Sequence, residues 1–111
     1  DSKNNEKLLR AMQGISDRRA HYYCVLVLLR QANDPQPLIA EGEWHGEIAY
    51  REQGDGGFGY DPLFWLPELG KTGAELTHGE KAPISHRGRA LQALLKKLES
   101  FDIWRKPEGL A

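Results

Sequence analysis

Two short segments concentrate the residue types that could do chemistry. Gly56-Gly57-Phe58-Gly59-Tyr60-Asp61-Pro62 makes a glycine-rich loop, and Lys81-Ala82-Pro83-Ile84-Ser85-His86-Arg87-Gly88 gathers four donors at the start of a helical pattern. Glycines on both sides of Phe58 let the backbone turn sharply and come close to a ligand. An aromatic ring on such a loop offers a flat face to a base, and stacking of that kind contributes ~1–3 kcal/mol per base. Pro62 cannot donate to a strand ladder, so the loop ends as a fixed step into the next strand. The same residues also fit a glycine-rich hairpin loop with Phe58 tucked into the core.

Lys81, Ser85, His86 and Arg87 fall just before and within the first turn of the helix, where the helix terminus adds partial positive charge. Such a cluster suits a ligand rich in acceptors. A 6-keto purine presents O6 and N7 side by side, and Arg or Lys can address both. Adenine shows an amino donor there, and an unpaired buried donor costs ~1–3 kcal/mol. The cluster therefore favours hypoxanthine and xanthine over adenine. The alternative is a solvated basic patch opposed by Glu75 and Glu80.

Other combinations are poorer. Gly70-Lys71-Thr72 resembles the end of a phosphate loop, but Trp65 stands where the earlier glycine is required. Glu41, Glu43, His45 and Glu47 could in principle hold a metal on one strand face, although alternate residues on a half-exposed strand are normally its wet side. No spacing suggests zinc. No Ser–His–acid or Cys–His arrangement stands out.

These segments need elements to position them. Asn4 to Gln13 reads as a short helix with Leu8, Leu9 and Met12 on one side and Gly14 as its stop. Arg19 to Leu29 reads as a strand that is apolar on both faces, so cover on both sides is expected. Asn33-Asp34-Pro35 is a turn, and Leu38 to Tyr50 a second long strand, antiparallel to the first. There Glu41, Glu43, His45 and Glu47 alternate with Gly42, Trp44, Gly46 and Ile48, the glycines marking a bulge or a close backbone approach. Leu63 to Leu66 is a short third strand, and Leu69 to Thr77 a connector with room for a helical turn. Pro83 to Leu98 is a helix with Ile84, Leu91, Leu94, Leu95 and Leu98 as its stripe and Pro83 at its first position. The tail, 101–111, carries Phe101, Ile103 and Trp104 and either docks or is disordered. Residues 1–111 read as one domain.

Composition limits the partners. The 111 residues are 40% apolar and 28% charged, with 15 Lys and Arg against 16 acids and a net charge of −1. No global basic field argues for nucleic acid or an anionic membrane. The single cysteine, Cys24, cannot form an internal disulfide and reads as a small buried hydrophobe. The longest apolar run, Tyr22 to Leu29, is far short of the ~20 residues of a membrane helix. The N-terminus carries no apolar signal region, and a cytoplasmic protein is expected. The chain starts without a methionine and directly before a helix, as if something upstream had been removed.

Together the two segments resemble the signature of the noncanonical purine triphosphate pyrophosphatases, the inosine-triphosphatase family. The residues that carry the resemblance are Gly56 to Pro62, then Lys71-Thr72 and Ala74-Glu75-Leu76, then Glu80-Lys81, then Ser85-His86-Arg87-Gly88 with Ala90-Leu91 behind. Upstream, Tyr22 to Leu26 and Gly42 to Ile48 fit the family's paired long strands, and Asn4 and Leu8-Leu9 the helix before them. The resemblance runs to about Leu98.

It implies that Phe58 stacks on the base, that Gly59-Tyr60-Asp61 completes the pocket wall, and that Asp61 contacts the base or orients a cation. Lys81, Ser85, His86 and Arg87 would hydrogen-bond the purine edge. It implies hydrolysis of inosine, deoxyinosine and xanthosine triphosphates to the monophosphate and pyrophosphate, with magnesium, in a homodimer. The fold implied is α/β, a long twisted mixed or antiparallel sheet with flanking helices, one lobe of a two-lobed molecule. Family members are about twice this length. Their N-terminal half carries Thr/Ser-x-Asn-x-x-Lys and Asp-Asp-Ser-Gly segments for phosphate binding and catalysis, and neither is present here. No catalytic or metal residue is therefore assigned, and the magnesium ligands are expected outside this chain. The expectation is a C-terminal base-recognition half, inactive alone, with an exposed apolar patch that leads it to dimerise, to swap elements or to need its other half. The alternative is a catalytically dead nucleotide-binding or oligomerisation module.

Overall fold

The computed structural model describes residues 2–29 and 31–100. Helix α1 is Ser2–Ala11, and two long strands follow, β1 Arg19–Leu28 and β2 Leu38–Ile48. A 3-10 turn, Asp61–Leu63, leads into β3 Phe64–Leu66; β4 Lys71–Thr72 and a second 3-10 turn, Gly73–Glu75, come next. Helices α2 His78–Lys81 and α3 His86–Ser100 complete the order. The sheet runs β1-β2-β3-β4, and every pairing is antiparallel. The fold is α/β, an antiparallel sheet flanked by helices; the mixed sheet allowed by the resemblance is not seen among the described residues. The tail at 101–111, with Phe101, Ile103 and Trp104, lies outside them.

The β1–β2 register runs unbroken from Arg19↔Glu47 to Leu28↔Leu38. The glycines of β2 therefore mark close approach, not a bulge. A Cβ on Gly42 would overlap the His86 carbonyl and the Ala90 backbone of α3. A Cβ on Gly46 would come within 2.8 Å of the Phe64 ring. The two glycines are notches on either side of Trp44, which is 2% exposed and packs with Phe64 and Leu66 as the core. Removing that much apolar ring from water is the main driving force here.

Helix α3 covers only one face of the sheet. Tyr22, Cys24, Leu26 and Leu28 are half-buried beneath it, whereas Tyr23, Val25 and Val27 on the other face are exposed. The expectation that β1 is covered on both sides thus fails within the described residues, and the open apolar face is the patch anticipated from sequence. The stripe assigned to α3 is also rotated. Ala90 is fully buried with Ala93 and Leu94 half-buried near it, while Leu91 and Leu95 are half-exposed. The narrow approach at Gly42 admits alanine and not leucine, and that sets which face of the helix turns inward.

Helix α3 begins at His86, not at Pro83. Ser85 Oγ accepts the Gly88 N–H at 3.1 Å, the side-chain bond of a helix N-cap. The connector at 69–77 holds β4 as well as a 3-10 turn. Two reciprocal side-chain caps fasten this connector and helix α2: Glu75 accepts the Thr72 N–H at 2.9 Å, and Glu80 accepts the Thr77 N–H at 2.9 Å. Buried Arg18 ties the end of α1 to the end of β2. It donates to the carbonyls of Met12, Ile15, Ile48 and Ala49. Among the described residues no helix is long and apolar enough to cross a membrane.

Candidate functional site

The glycine-rich loop is shaped around one carboxylate. Gly57 and Gly59 have φ of +72° and +58°, and a Cβ on Gly57 would overlap the Asp61 carboxyl group. The Asp61 N–H donates to the Phe58 carbonyl at 3.1 Å, which closes the turn. Asp61 is 4% exposed. Its Oδ2 accepts the Phe58 N–H at 2.9 Å and the Lys81 ammonium at 2.7 Å. Its Oδ1 accepts the Tyr22 hydroxyl at 2.9 Å. One buried side chain therefore binds the loop, β1 and the end of α2 to each other. The cation that Asp61 holds in this structure is the Lys81 ammonium.

Phe58 is not tucked into the core. It is 70% exposed, with Lys81 Nζ 5.3 Å and Arg87 Cζ 6.0 Å from its ring centroid. Two cations lie over an otherwise exposed aromatic ring, a cluster that suits a flat ligand carrying acceptors. The two acids of the solvated-patch alternative do not oppose this cluster. Glu75 and Glu80 are spent on caps, Glu80 also reaching Lys71 at 3.5 Å, and the carboxylate opposing Lys81 is Asp61.

Beneath the loop lies an aromatic floor. The His86 ring stacks on Tyr22 at 4.8 Å and on Trp44 at 6.3 Å. Burial, and then the neighbouring Arg87 charge, lower the His86 pKa, so its neutral form dominates at neutral pH. His86 Nδ1 is buried and has no hydrogen-bond partner among the described residues. Burial, and then the Asp61 charge, raise the Tyr22 phenol, which stays a donor.

The structure thus brings Phe58, Asp61, Lys81, His86 and Arg87 together. Tyr60 is half-exposed on the loop, Gly59 supplies its left-handed step, and Ser85 is buried as the cap of α3. Sequence reasoning misses Tyr22 and Trp44 as site residues. Their signal lies in the strand pairing, since they are direct cross-strand partners on the inner face. A separate open cleft of ≈ 490 Å³, lined in part by Arg18, Arg19, Tyr50 and Trp65, includes none of the cluster.

A family model described as the Ham1 family matches residues 1–97. The chain is similar to a dITP/XTP pyrophosphatase of Nitrosomonas europaea, 61% identical over 98 residues, 88% of this chain and 48% of that protein. It is also similar to a dITP/XTP pyrophosphatase of Escherichia coli, 53% identical over 102 residues, 90% of this chain and 52% of that protein. Among solved structures, a HAM1 protein from Coxiella burnetii superposes with a TM-score of 0.83 at 45% identity, over 90% of this chain and 52% of that one. The Ham1 protein of Staphylococcus aureus gives 0.82 at 40% identity, over 89% of this chain and 50% of that one. The chain spans about half the length of the curated relatives it matches.

Proposed function

The chain belongs to the Ham1 family, and from that premise we propose that it is the base-recognising, C-terminal part of a pyrophosphatase acting on deaminated purine nucleoside triphosphates. Relatives named dITP/XTP pyrophosphatase support the substrate class. The observation that carries the reading is the exposed Phe58 ring flanked by Lys81 and Arg87, with Lys81 anchored on buried Asp61. Phe58 stacks on the base. Lys81 and Arg87 address O6 and N7 of a 6-keto purine. Neutral His86 and the Ser85 hydroxyl take the remaining polar edge, and Gly59, Tyr60 and Asp61 form the wall.

The full reaction would cleave the triphosphate to a monophosphate and pyrophosphate. Magnesium, when bound, would neutralise the phosphate charge in such chemistry. The cluster around Asp61 does not fit that ion. The oxygens of Asp61 are filled by protein donors, and among the described residues no three His, Cys, Asp or Glu side chains gather. On this reading the phosphate-binding and catalytic groups are supplied from outside these 111 residues. The 111 residues alone bind the nucleotide without turning it over, in the cytoplasm, with neither nucleic acid nor membrane as partner.

The second reading, an oligomerisation module, is favoured by the open apolar face of Tyr23, Val25 and Val27. A second copy or the other half of the enzyme would cover it. The test of the main reading is pyrophosphate release from inosine triphosphate with magnesium. No turnover by the 111-residue chain is expected, together with saturable nucleotide binding. Turnover abolished by His86→Ala would contradict binding without catalysis.

A further inference from the structure

On the outer face of the long hairpin, away from α3, His21 of β1 stands directly opposite His45 of β2. Their ring centroids are 5.1 Å apart. His45 Nε2 lies 2.8 Å from Glu43 Oε2. A shallow cavity of ≈ 400 Å³ opens beside the pair, lined by Asp17, Arg19, Ala20, His21, His45 and Gly46. The Arg19 charge is engaged by Asp17 at 2.7 Å. Glu41, Glu43 and Glu47 share the face, which leaves it acidic around the two rings.

We propose that His21 and His45 form a surface site for a borderline divalent transition-metal ion: zinc, nickel or copper(II). Imidazole is a good ligand for these ions. The unbroken strand register already holds the two rings together, so chelation orders little that is not ordered. Glu43 supplies the supporting contact that metal-binding imidazoles usually have, a carboxylate on one ring nitrogen that leaves the other as the lone-pair donor. Among the described residues no third His, Cys, Asp or Glu joins them as a ligand set. Water therefore completes the coordination, and magnesium, which demands oxygen ligands, is not selected. The site lies apart from the base cluster and shares no residue with it.

The test is calorimetric titration of the 111-residue chain with Zn2+ alone, at neutral pH and without nucleotide. One ion per chain is expected. His21→Ala and His45→Ala should each weaken uptake about tenfold or more, the scale on which even a supporting group matters. His78→Ala, at an exposed histidine on α2, should leave it unchanged. Zinc should raise the Tm of the parent chain, because the ion binds only the paired strands, and this rise should vanish in His45→Ala with its circular dichroism preserved. Absent uptake, or uptake equal in His21→Ala, overturns the proposal and leaves the base-binding reading where it stood.

Discussion

Asp61 accepts three donors on two oxygens while 4% exposed, so its removal strands a charge as well as three contacts. Asp61→Ala should destabilise the fold by about 3–5 kcal/mol, the cost of breaking a buried pair from one side. The Asp61→Ala, Lys81→Met pair should lose less than the two single losses summed, because the uncompensated ammonium is gone. Urea unfolding of the three variants checks this. His86 adds a pH signature. Its folded pKa lies below the ordinary 6.5, so the folded chain binds fewer protons there than the unfolded one. The stability it contributes is present above that value and is lost as pH falls through the folded pKa. His86→Phe should flatten that part of a stability profile taken below pH 7. The site's residue types were legible in the sequence, since glycines around an aromatic and donors at a helix start are local signals. The hub was not, because Asp61 meets Lys81 and Tyr22 at separations of 20 and 39 residues, and nothing local encodes such pairings.

Among the elements, the contact between β2 and α3 is the tightest constraint. Gly42→Ala would push a methyl group into the His86 carbonyl and the Ala90 backbone, neither of which can rotate away. A loss of about 1–3 kcal/mol or more is expected, read as a lowered urea midpoint with an unchanged slope. Alternation made β2 legible, as the polar face from Glu41 to Glu47 shows, whereas β1 was legible as a continuous apolar run bounded by a turn. The rotation of α3 was not legible, because Leu91 and Leu95 are apolar and yet half-exposed, and periodicity alone counts them as core. Strand β4 is only Lys71 and Thr72, too short and too polar to show a period. Arg18 reads as an ordinary connector residue until its four carbonyl partners are seen. Arg18→Lys should not restore the stability lost in Arg18→Ala, since an ammonium cannot span carbonyls on two elements in a fork. Thermal unfolding of both variants decides it.

At the scale of the whole molecule, the described residues leave one apolar face of the hairpin exposed. Tyr23, Val25, Val27 and Ile39 are between 44% and 56% exposed, and a net charge of −1 provides little repulsion between copies. Sedimentation should show association that grows with concentration and that Val25→Lys with Val27→Lys suppresses; a clean monomer at every concentration would contradict it. Base recognition should survive that change, because the cluster lies on the opposite face. Titration of the 111-residue chain with inosine monophosphate and adenosine monophosphate tests that recognition most directly. Inosine monophosphate should bind about 5- to 150-fold more tightly, the equivalent of one donor left unpaired by adenine, and Phe58→Ala should weaken it over the same range without lowering Tm. Equal affinity for the two nucleotides, or inosine binding indifferent to Phe58, would contradict base recognition by this cluster.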